Sequence, residues 1–327
     1  MVVVHCSCPK HQPTLTDFVG TFGVVTSVVV KAFPQTPVVT GNIRFSTTPD
    51  RGSNTSISTE TFWAGIKTYW THATSICDAG GLGYSFIYPS GSPQGLTFTV
   101  RISLPNASLA EYRAFIQPLL SDLHLLGINL PTPILKRSYA YNHNPYPKRS
   151  LGETTGHTLL ASRFFPRSSF TPSSLTQTHV AIRHLIEAGT YTFHGMNYSP
   201  LLSLTNTSNA VNPAFRTTVL HAQAYSPNAH WDGSAPILSH TDLSRTHERL
   251  QTYMQGWRHV TPGSGSYINE GDAQDWEWKE AFYGANYERL KDVKGRWDPE
   301  GVFYTPTTPG TENWEVIDYN TKLCKKA

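Results

Sequence analysis

The chain has 327 residues, a formal net charge of +3, 15% charged residues and 12% aromatic residues. This length can bury a large core in one or two domains, and the composition is that of a globular chain rather than a disordered one. The basic residues are scattered, with no block suited to phosphates, which argues against nucleic-acid binding. No apolar run approaches the ~20 residues that a membrane-spanning helix needs.

The cysteines and the glycosylation sequons say little about redox chemistry or location. The four cysteines form no Cys-x-x-Cys pair, and a metal cluster drawn from His5, Cys6, Cys8 and His11 lacks a second ligand pair. We therefore expect no metal site. Four Asn-x-Ser/Thr triplets favour a secretory history, yet no signal-peptide pattern opens the sequence, so the localisation stays open; the triplets begin at Asn54, Asn106, Asn197 and Asn206.

Regular patterns begin after residue 19. The β-branched run Val24–Val30 predicts a strand. From Thr59 to Cys77 the apolar residues have helical spacing behind a threonine cap. Two strands, Leu82–Tyr88 and Leu96–Leu104, follow and are joined by a turn-rich link that suits a hairpin.

Residue patterns in the middle of the chain predict two further helices and two further strands. Ser108–Leu126 predicts an amphipathic helix with a kink at Pro118. The residues expected to face inward are Leu109, Tyr112, Ile116, Leu119, Leu123 and Leu126. After a long loop at 131–149, Ser173–Ala188 predicts a helix that ends at Gly189. Tyr191–Tyr198 and Ala214–Tyr225 predict strands. Hairpin strands with helices between them predict an α+β fold, an antiparallel sheet that carries helices on one face.

The most specific pattern lies near the C-terminus. Ser266–Asn269 predicts a short extended run, which a loop and then a helix follow. Phe282, Leu290 and Val293 form the apolar stripe of that helix, and Asp-Pro at 298–299 ends it. In sequence order, the segment contains Tyr-x-Asn at 267–269, Phe-Tyr-Gly-x-Asn-Tyr-x-Arg-Leu at 282–290 and Lys-x-x-x-Asp-Pro-x-x-x-Phe at 294–303.

This ordered set resembles the C-terminal segment of the berberine-bridge-enzyme-like, FAD-linked oxidoreductases, and more specifically their fungal branch. The stretches 162–168 and 209–216 resemble the substrate domain of that family, and 22–26 resembles the strand that closes its FAD-binding domain. The resemblance divides the chain into residues 1–45, a remnant of the FAD-binding domain in which 1–19 are aberrant, an α+β substrate-binding domain at 46–258, and a C-terminal segment at 259–327 that packs on an FAD-binding domain. Most of that FAD-binding domain is expected to be missing.

The resemblance implies FAD as cofactor and a small-molecule substrate, aromatic or alkaloid-like, whose hydride passes to the flavin with O2 as the re-oxidant. It implies no membrane or nucleic-acid partner, and the oligomeric state stays open. Two alternatives remain: an inactive truncated remnant, and a small-molecule-binding protein without chemistry.

The resemblance also assigns site residues. Asn269 matches the residue that contacts the flavin, and Tyr267 matches a wall of the active site with catalytic and cofactor-binding roles. Glu270 occupies the position where several relatives have a tyrosine base. A carboxylate beside an apolar flavin face would have its pKa raised by desolvation, which suits a general base. The alternative for Glu270 is a surface ion pair near Arg258 or Lys279, and Tyr191 and Tyr198 are the next candidates for the base.

Overall fold

The computed structural model describes residues 4–5, 22–23, 29–30, 34–49, 56–90, 95–139, 159–200, 209–226, 240–317 and 322–326. The strands within these ranges are β1 (Val4–His5), β2 (Val29–Val30), β3 (Pro37–Ser46), β4 (Leu82–Ser90), β5 (Gly95–Pro105), β6 (Lys136–Tyr139), β7 (Leu160–Pro166), β8 (Thr192–Asn197), β9 (Thr218–Tyr225), β10 (Trp314–Ile317) and β11 (Lys322–Lys325). The helices are α1 (Thr59–Thr71), α2 (Ala73–Asp78), α3 (Leu109–Leu125), α4 (Leu175–Glu187), α5 (His240–Val260), α6 (Trp278–Tyr283) and α7 (Tyr287–Trp297).

Seven strands form one antiparallel sheet in the order β6-β3-β5-β4-β8-β9-β7. The predicted hairpin is its centre, because β4 and β5 pair from Leu82 opposite Ser103 to Ser90 opposite Gly95. Two further antiparallel pairs, β1 with β2 and β10 with β11, lie outside this sheet. The α+β prediction is confirmed.

The five helices α1 to α5 pack against one face of the large sheet. Alternate strand residues turn apolar side chains toward these helices, since successive side chains of a strand point to opposite faces. The result is one large core that includes Val39, Ile102 and Phe193 from the strands, and Trp63 and Trp257 from the helices. The opposite face of the sheet is left without helices from this group and carries polar and aromatic side chains.

The predicted helices are present, with corrections at their ends. The helix predicted from Thr59 to Cys77 is two helices that break at His72, and its cap is Ser58, which accepts from the Thr61 N–H at 3.1 Å. Helix α3 runs through Pro118 behind a complete capping box formed by its N-cap serine and Glu111. Two of its predicted inward positions are wrong, since Leu109 is 39% exposed and Leu126 is 37% exposed; both lie at the ends of the helix, where the core does not reach.

Three other predictions need correction. Helix α4 ends as predicted, but the residue with left-handed backbone after it is Thr190, at φ 60°, and not Gly189. The strand predicted from residue 214 begins at Thr218, after a 3-10 turn at Pro213–Thr217. Helix α5 is absent from the predictions because its sequence is largely polar, although Leu250, Met254 and Trp257 all lie buried on one side of it.

The C-terminal segment builds a second, smaller core. Phe282 and Leu290 belong to it, together with other aromatic side chains of α6 and α7, and Phe22 packs against it from the N-terminal part of the chain. The helix predicted here is two helices, because Gly284 between them has φ +52°, a conformation that favours glycine. Helix α7 ends before Asp298, as predicted.

Strand β3 spans the predicted boundary at residue 45 and pairs with β5 from Val38 opposite Pro105 to Ser46 opposite Thr97. Residues 37–45 therefore lie in the large sheet. Of the strand predicted at Val24–Val30, only Val29–Val30 lies within the described residues, and it pairs with β1.

Two of the four glycosylation sequons lie within the described residues. The Asn197 sequon lies in the core, where its side chain accepts from the Tyr69 hydroxyl at 2.7 Å, so a folded chain cannot present it for glycosylation. Asn106 is exposed, and the other two sequons lie outside the described residues.

Among the helices described, none has the length and apolar character to cross a membrane. The described ranges also contain no metal-binding cluster of histidine, cysteine or carboxylate side chains, and most of the His5–His11 stretch is outside them.

Candidate active site

The face of the sheet opposite α1 to α5 carries two cross-strand rows of side chains. Residues directly opposite each other in antiparallel strands share a face. The register therefore aligns one row as Arg44, Thr99, Phe86, His194, Gln223 and Ser162. The second row runs as Asn42, Arg101, Tyr84, Met196, His221 and Phe164.

Aromatic side chains cover the β4–β8 part of this face. The Phe86 ring stacks on His194 with centroids 4.2 Å apart and on Tyr88 at 5.2 Å. Tyr84 meets His194 edge-on at 4.4 Å, and the Arg101 guanidinium lies 5.3 Å from the Tyr84 ring centroid. The Phe86 ring is stacked against two neighbours, and Tyr84 is tilted by 72° to Phe86 and by 64° to His194, so these rings present edges and not one flat face. We call this row the aromatic wall (Tyr84, Phe86, Tyr88 and His194); His194 is buried and the other three rings are half-buried. A planar ligand can meet such ring edges with its own face.

The C-terminal segment lies beside the other end of the rows because it pairs with the sheet edge. The Phe164 N–H donates to the Gly265 carbonyl at 2.7 Å, and the Ser264 hydroxyl donates to the Phe164 carbonyl at 2.7 Å. The Ser266 hydroxyl donates to the Ser162 carbonyl. Strand β7 is the edge strand, so these bonds extend the sheet and direct residues 267–270 toward the face that carries His221 and Gln223.

The three predicted site residues lie together at this point. The prediction of an extended run at Ser266–Asn269 is wrong in its second half, because Ile268–Glu270 form a 3-10 turn. The turn changes the directions of the side chains: Asn269 donates from its amide to the Tyr267 hydroxyl at 2.7 Å, on an exposed surface. Gly271 follows with φ −117°, a backbone conformation that any residue can adopt. A Cβ there would lie 2.5 Å from the Phe282 ring, and the position therefore requires glycine for space.

Glu270 turns toward the sheet. Its carboxylate accepts a hydrogen bond from the Gln223 amide, and its Oε2 lies 3.6 Å from His221 Nδ1. The surface ion pairs considered for Glu270 do not match these contacts, since Arg258 pairs with Asp275 and Lys279 with Glu312. The Glu270 side chain is 37% exposed, so a small molecule on this face can reach it.

Gln223 is a site residue that the sequence predictions missed. Its amide oxygen accepts from His194 Nδ1 at 3.0 Å and from the Tyr225 hydroxyl, while its amide nitrogen donates to Glu270. The sequence of β9 contains a pattern that could have identified Gln223, because His221, Gln223 and Tyr225 alternate with apolar residues. That alternation indicates a polar face on a strand that is otherwise apolar.

Burial keeps the neighbouring titratable groups uncharged. Desolvation, with a smaller contribution from His194, lowers the pKa of His221 from 6.5 to about 3, and desolvation also lowers the pKa of His194. Desolvation and then Glu270 raise the pKa of Tyr198, so its phenol stays protonated and can donate. At 3.6 Å from a neutral imidazole, Glu270 is in contact with His221 but does not form an ion pair with it. Tyr191, the other tyrosine considered as base, is buried on the helix side and accepts from Arg249 Nη1 at 2.9 Å.

A buried polar network fixes the loop that follows Glu270. Asp272 accepts from Gln251 Nε2 at 2.7 Å and also contacts His247. Arg258 donates to Gln251 and pairs with Asp275 Oδ2 at 2.8 Å. Three of these residues belong to α5, so this helix, although absent from the sequence predictions, holds the segment that presents Glu270.

The histidine at this site should make the free energy of unfolding depend on pH. The unfolded chain binds a proton at His221 near pH 6.5, whereas the folded chain binds it only near pH 3. Stability contributed by neutral His221 is therefore complete above pH 6.5 and falls as the pH decreases toward 3. In urea titrations at about pH 7.5 and about pH 5, His221→Gln should lose less stability on acidification than the unaltered chain.

The exposed His259 provides the control for this measurement. His259→Gln should keep the acid sensitivity of the unaltered chain. Equal sensitivity in all three proteins would show that His221 does not bind its proton differently in the folded and unfolded states.

The residues exposed around Glu270 fit the polar edge of a flavin ring. The Asn269 carboxamide and the Tyr267 hydroxyl offer both donors and acceptors, and Tyr267 is 36% exposed. Three buried polar atoms on this sheet face, Ser162 Oγ, His194 Nε2 and His221 Nε2, have no hydrogen-bond partner among the described residues. This set can complement a polar, planar group placed against it.

Comparisons with known proteins agree with the resemblance found in the sequence. Residues 266–308 match the family model described as berberine and berberine like. The bifunctional decalin synthase calF of Penicillium decumbens is 29% identical over 312 residues, which are 94% of this chain and 51% of that protein. The FAD-linked oxidoreductase orf1 of Neocamarosporium betae is 30% identical over 319 residues, with 94% and 51% covered.

Among solved structures, the VAO-type flavoprotein MtVAO615 of Myceliophthora thermophila superposes with a TM-score of 0.72 at 25% identity, covering 94% of this chain and 53% of that one. The chain thus spans about half the length of the relatives it matches. The predicted resemblance to berberine-bridge-like, FAD-linked oxidoreductases is confirmed, and the cofactor that the relatives indicate is FAD.

Proposed function

We propose that this chain is the substrate-binding part of an FAD-linked oxidoreductase that oxidises a small aromatic metabolite at a carbon bearing a hydroxyl group, with O2 as the final oxidant. The observation that carries the proposal is the position of Glu270 between the exposed pair Tyr267–Asn269 and the sheet face that bears the aromatic wall. A carboxylate, exposed polar groups and a row of aromatic rings meet there.

In the proposed reaction, FAD and the residues of this chain would have different roles. Oxidation of an alcohol to a carbonyl removes a hydride from carbon and a proton from oxygen. FAD, when bound, supplies the hydride acceptor. Tyr267 and Asn269 would hold its polar edge, and Glu270 would accept the substrate proton as general base.

Other residues of this chain would orient the substrate. The ring edges of the aromatic wall would meet the face of a planar substrate ring, and such edge-to-face contacts are worth about 0.5–1.5 kcal/mol beyond the area they bury. Tyr198, kept protonated by its raised pKa, would donate a hydrogen bond to the substrate oxygen. A substrate seated between the wall and Glu270 would also exclude water from the carboxylate.

The proposal is tested by flavin reduction. The chain, joined to the FAD-binding half of a full-length relative and purified with excess FAD, is mixed without oxygen with benzylic alcohols and with aliphatic alcohols of the same size. We expect the flavin absorbance to bleach with the aromatic set, and we expect Phe86→Ala to raise the substrate concentration needed by roughly 2–10-fold. Bound FAD that no alcohol in the panel reduces would contradict the proposed alcohol oxidation, and binding of the alcohols without reduction would indicate a binding protein.

A further inference from the structure

We infer that Gln223 is a positioning residue that holds the Glu270 carboxylate toward the substrate side of the sheet and keeps it ionised. This inference rests on the proposed function, in which Glu270 is the base. Gln223 lies in the middle of β9, 47 positions from Glu270 in sequence, and its side chain is buried. The strand fixes its backbone, so only the amide group has freedom to rotate.

Two donors remove that freedom. His194 Nδ1 lies 3.0 Å from the amide oxygen, and the Tyr225 hydroxyl also donates to this oxygen. A carbonyl oxygen has two lone pairs, so both are used. The reversed amide would set its oxygen against the Glu270 carboxylate, an acceptor against an acceptor, so the N–H groups of Gln223 point toward Glu270.

The direction of this hydrogen bond decides which form of Glu270 is favoured. An amide N–H can donate to a carboxylate but cannot accept from a carboxylic acid, so the contact stabilises the ionised form. Among the described residues, the titratable groups near Glu270 include His221, which is neutral at physiological pH, and the protonated Tyr198. Gln223 therefore favours the ionised form of Glu270, and as a neutral donor it lowers the basicity of the carboxylate less than a cationic partner would.

The same contact fixes the imidazole of His194. Because Nδ1 donates to Gln223, the neutral ring carries its proton on Nδ1 and leaves a lone pair on Nε2. That nitrogen has no partner among the described residues. The His194 ring is also the member of the aromatic wall that stacks on Phe86, so the amide of Gln223 links the wall to the base.

Nuclear magnetic resonance can test the inference without any substrate. The side-chain carboxyl signal of Glu270, identified by its loss in Glu270→Gln, is titrated in the full chain. In Gln223→Met, which has similar size and no donor, the midpoint should rise by about half a pH unit or more, since a hydrogen bond to a charged group is lost. Gln223→Glu should raise the midpoint further through like charge. In Gln223→Met, which lacks the amide oxygen, the nitrogen shifts of His194 should show that the Nδ1–H form is no longer enforced.

A milder variant and a control make the result decisive. Tyr225→Phe keeps Gln223 and removes one of its two donors, so the midpoint should move in the same direction by less. Gln117→Met, at an exposed position of α3, should leave the titration of Glu270 unchanged. An unchanged midpoint in folded Gln223→Met would overturn the inference.

Kinetics then separate this inference from the proposed function. In the FAD-loaded protein, the acidic limb of the pH profile of flavin reduction should shift to higher pH in Gln223→Met, with a lower rate below neutral pH and near-parent rates at alkaline pH. A uniform loss at every pH would indicate a structural role only and contradict the inference. If the unaltered protein reduces no flavin, the proposed function fails, whereas the titration of Glu270 still decides whether Gln223 acts on it.

Discussion

Glu270→Gln should lower the rate of flavin reduction by roughly 10²–10⁴-fold while substrate binding changes little. The amide occupies nearly the same volume as the carboxylate, but it cannot accept the proton that leaves the substrate hydroxyl. The expected loss is therefore in the chemical step. It is measured by anaerobic stopped-flow mixing of the FAD-loaded variant with the alcohol that bleaches the unaltered protein most strongly.

Glu300→Gln is the matched control, because Glu300 is an exposed carboxylate of the same C-terminal segment. It should reduce flavin at the parent rate. If Glu270→Gln does so too, the base lies elsewhere. Tyr198 would then be examined next, since it shares the electrostatic surroundings of Glu270, whereas Tyr191 lies on the helix side of the sheet.

The largest expected effect on stability belongs to Arg258. Arg258→Met leaves the carboxylate of Asp275, which is 5% exposed, without its cationic partner. Breaking a buried ion pair by removing one partner costs about 3–5 kcal/mol, because an uncompensated charge stays in the interior. Because the free energy of unfolding decreases, the urea concentration at the midpoint of unfolding should be lower. The loop that carries Glu270 should also be cleaved faster by proteases.

Two companion variants identify the cause. Arg258→Met combined with Asp275→Asn removes the orphaned charge, so part of the lost stability should return. Arg245→Met breaks an exposed pair on the same helix, 3.6 Å from Asp242, and should cost no more than about 1 kcal/mol. Equal losses in Arg258→Met and Arg245→Met would contradict the role assigned to the buried pair.

The sequence by itself was sufficient for the elements whose signal is local. Two strand segments joined by a turn-rich link in 82–104 predicted the β4–β5 hairpin. The patterns in 108–126 and 173–188 predicted α3 and α4, whose buried faces lie in the same core. The order of motifs in 266–303 predicted the family resemblance that the comparisons confirm. Local patterns of this kind depend only on which face of an element is buried.

The tertiary structure alone decided how the site is assembled. Gln223 reaches Glu270 because β7, β8 and β9 share one register and because residues 264–266 pair with the edge of β7; neither fact is encoded in a local period. The 3-10 turn at Ile268–Glu270 overrode the alternation expected of an extended run, since the backbone there follows its contacts with the sheet edge and with α6. Helix α5 has too few apolar residues to be recognised from its sequence, yet the buried charges it places against the loop after Glu270 determine where the predicted base points.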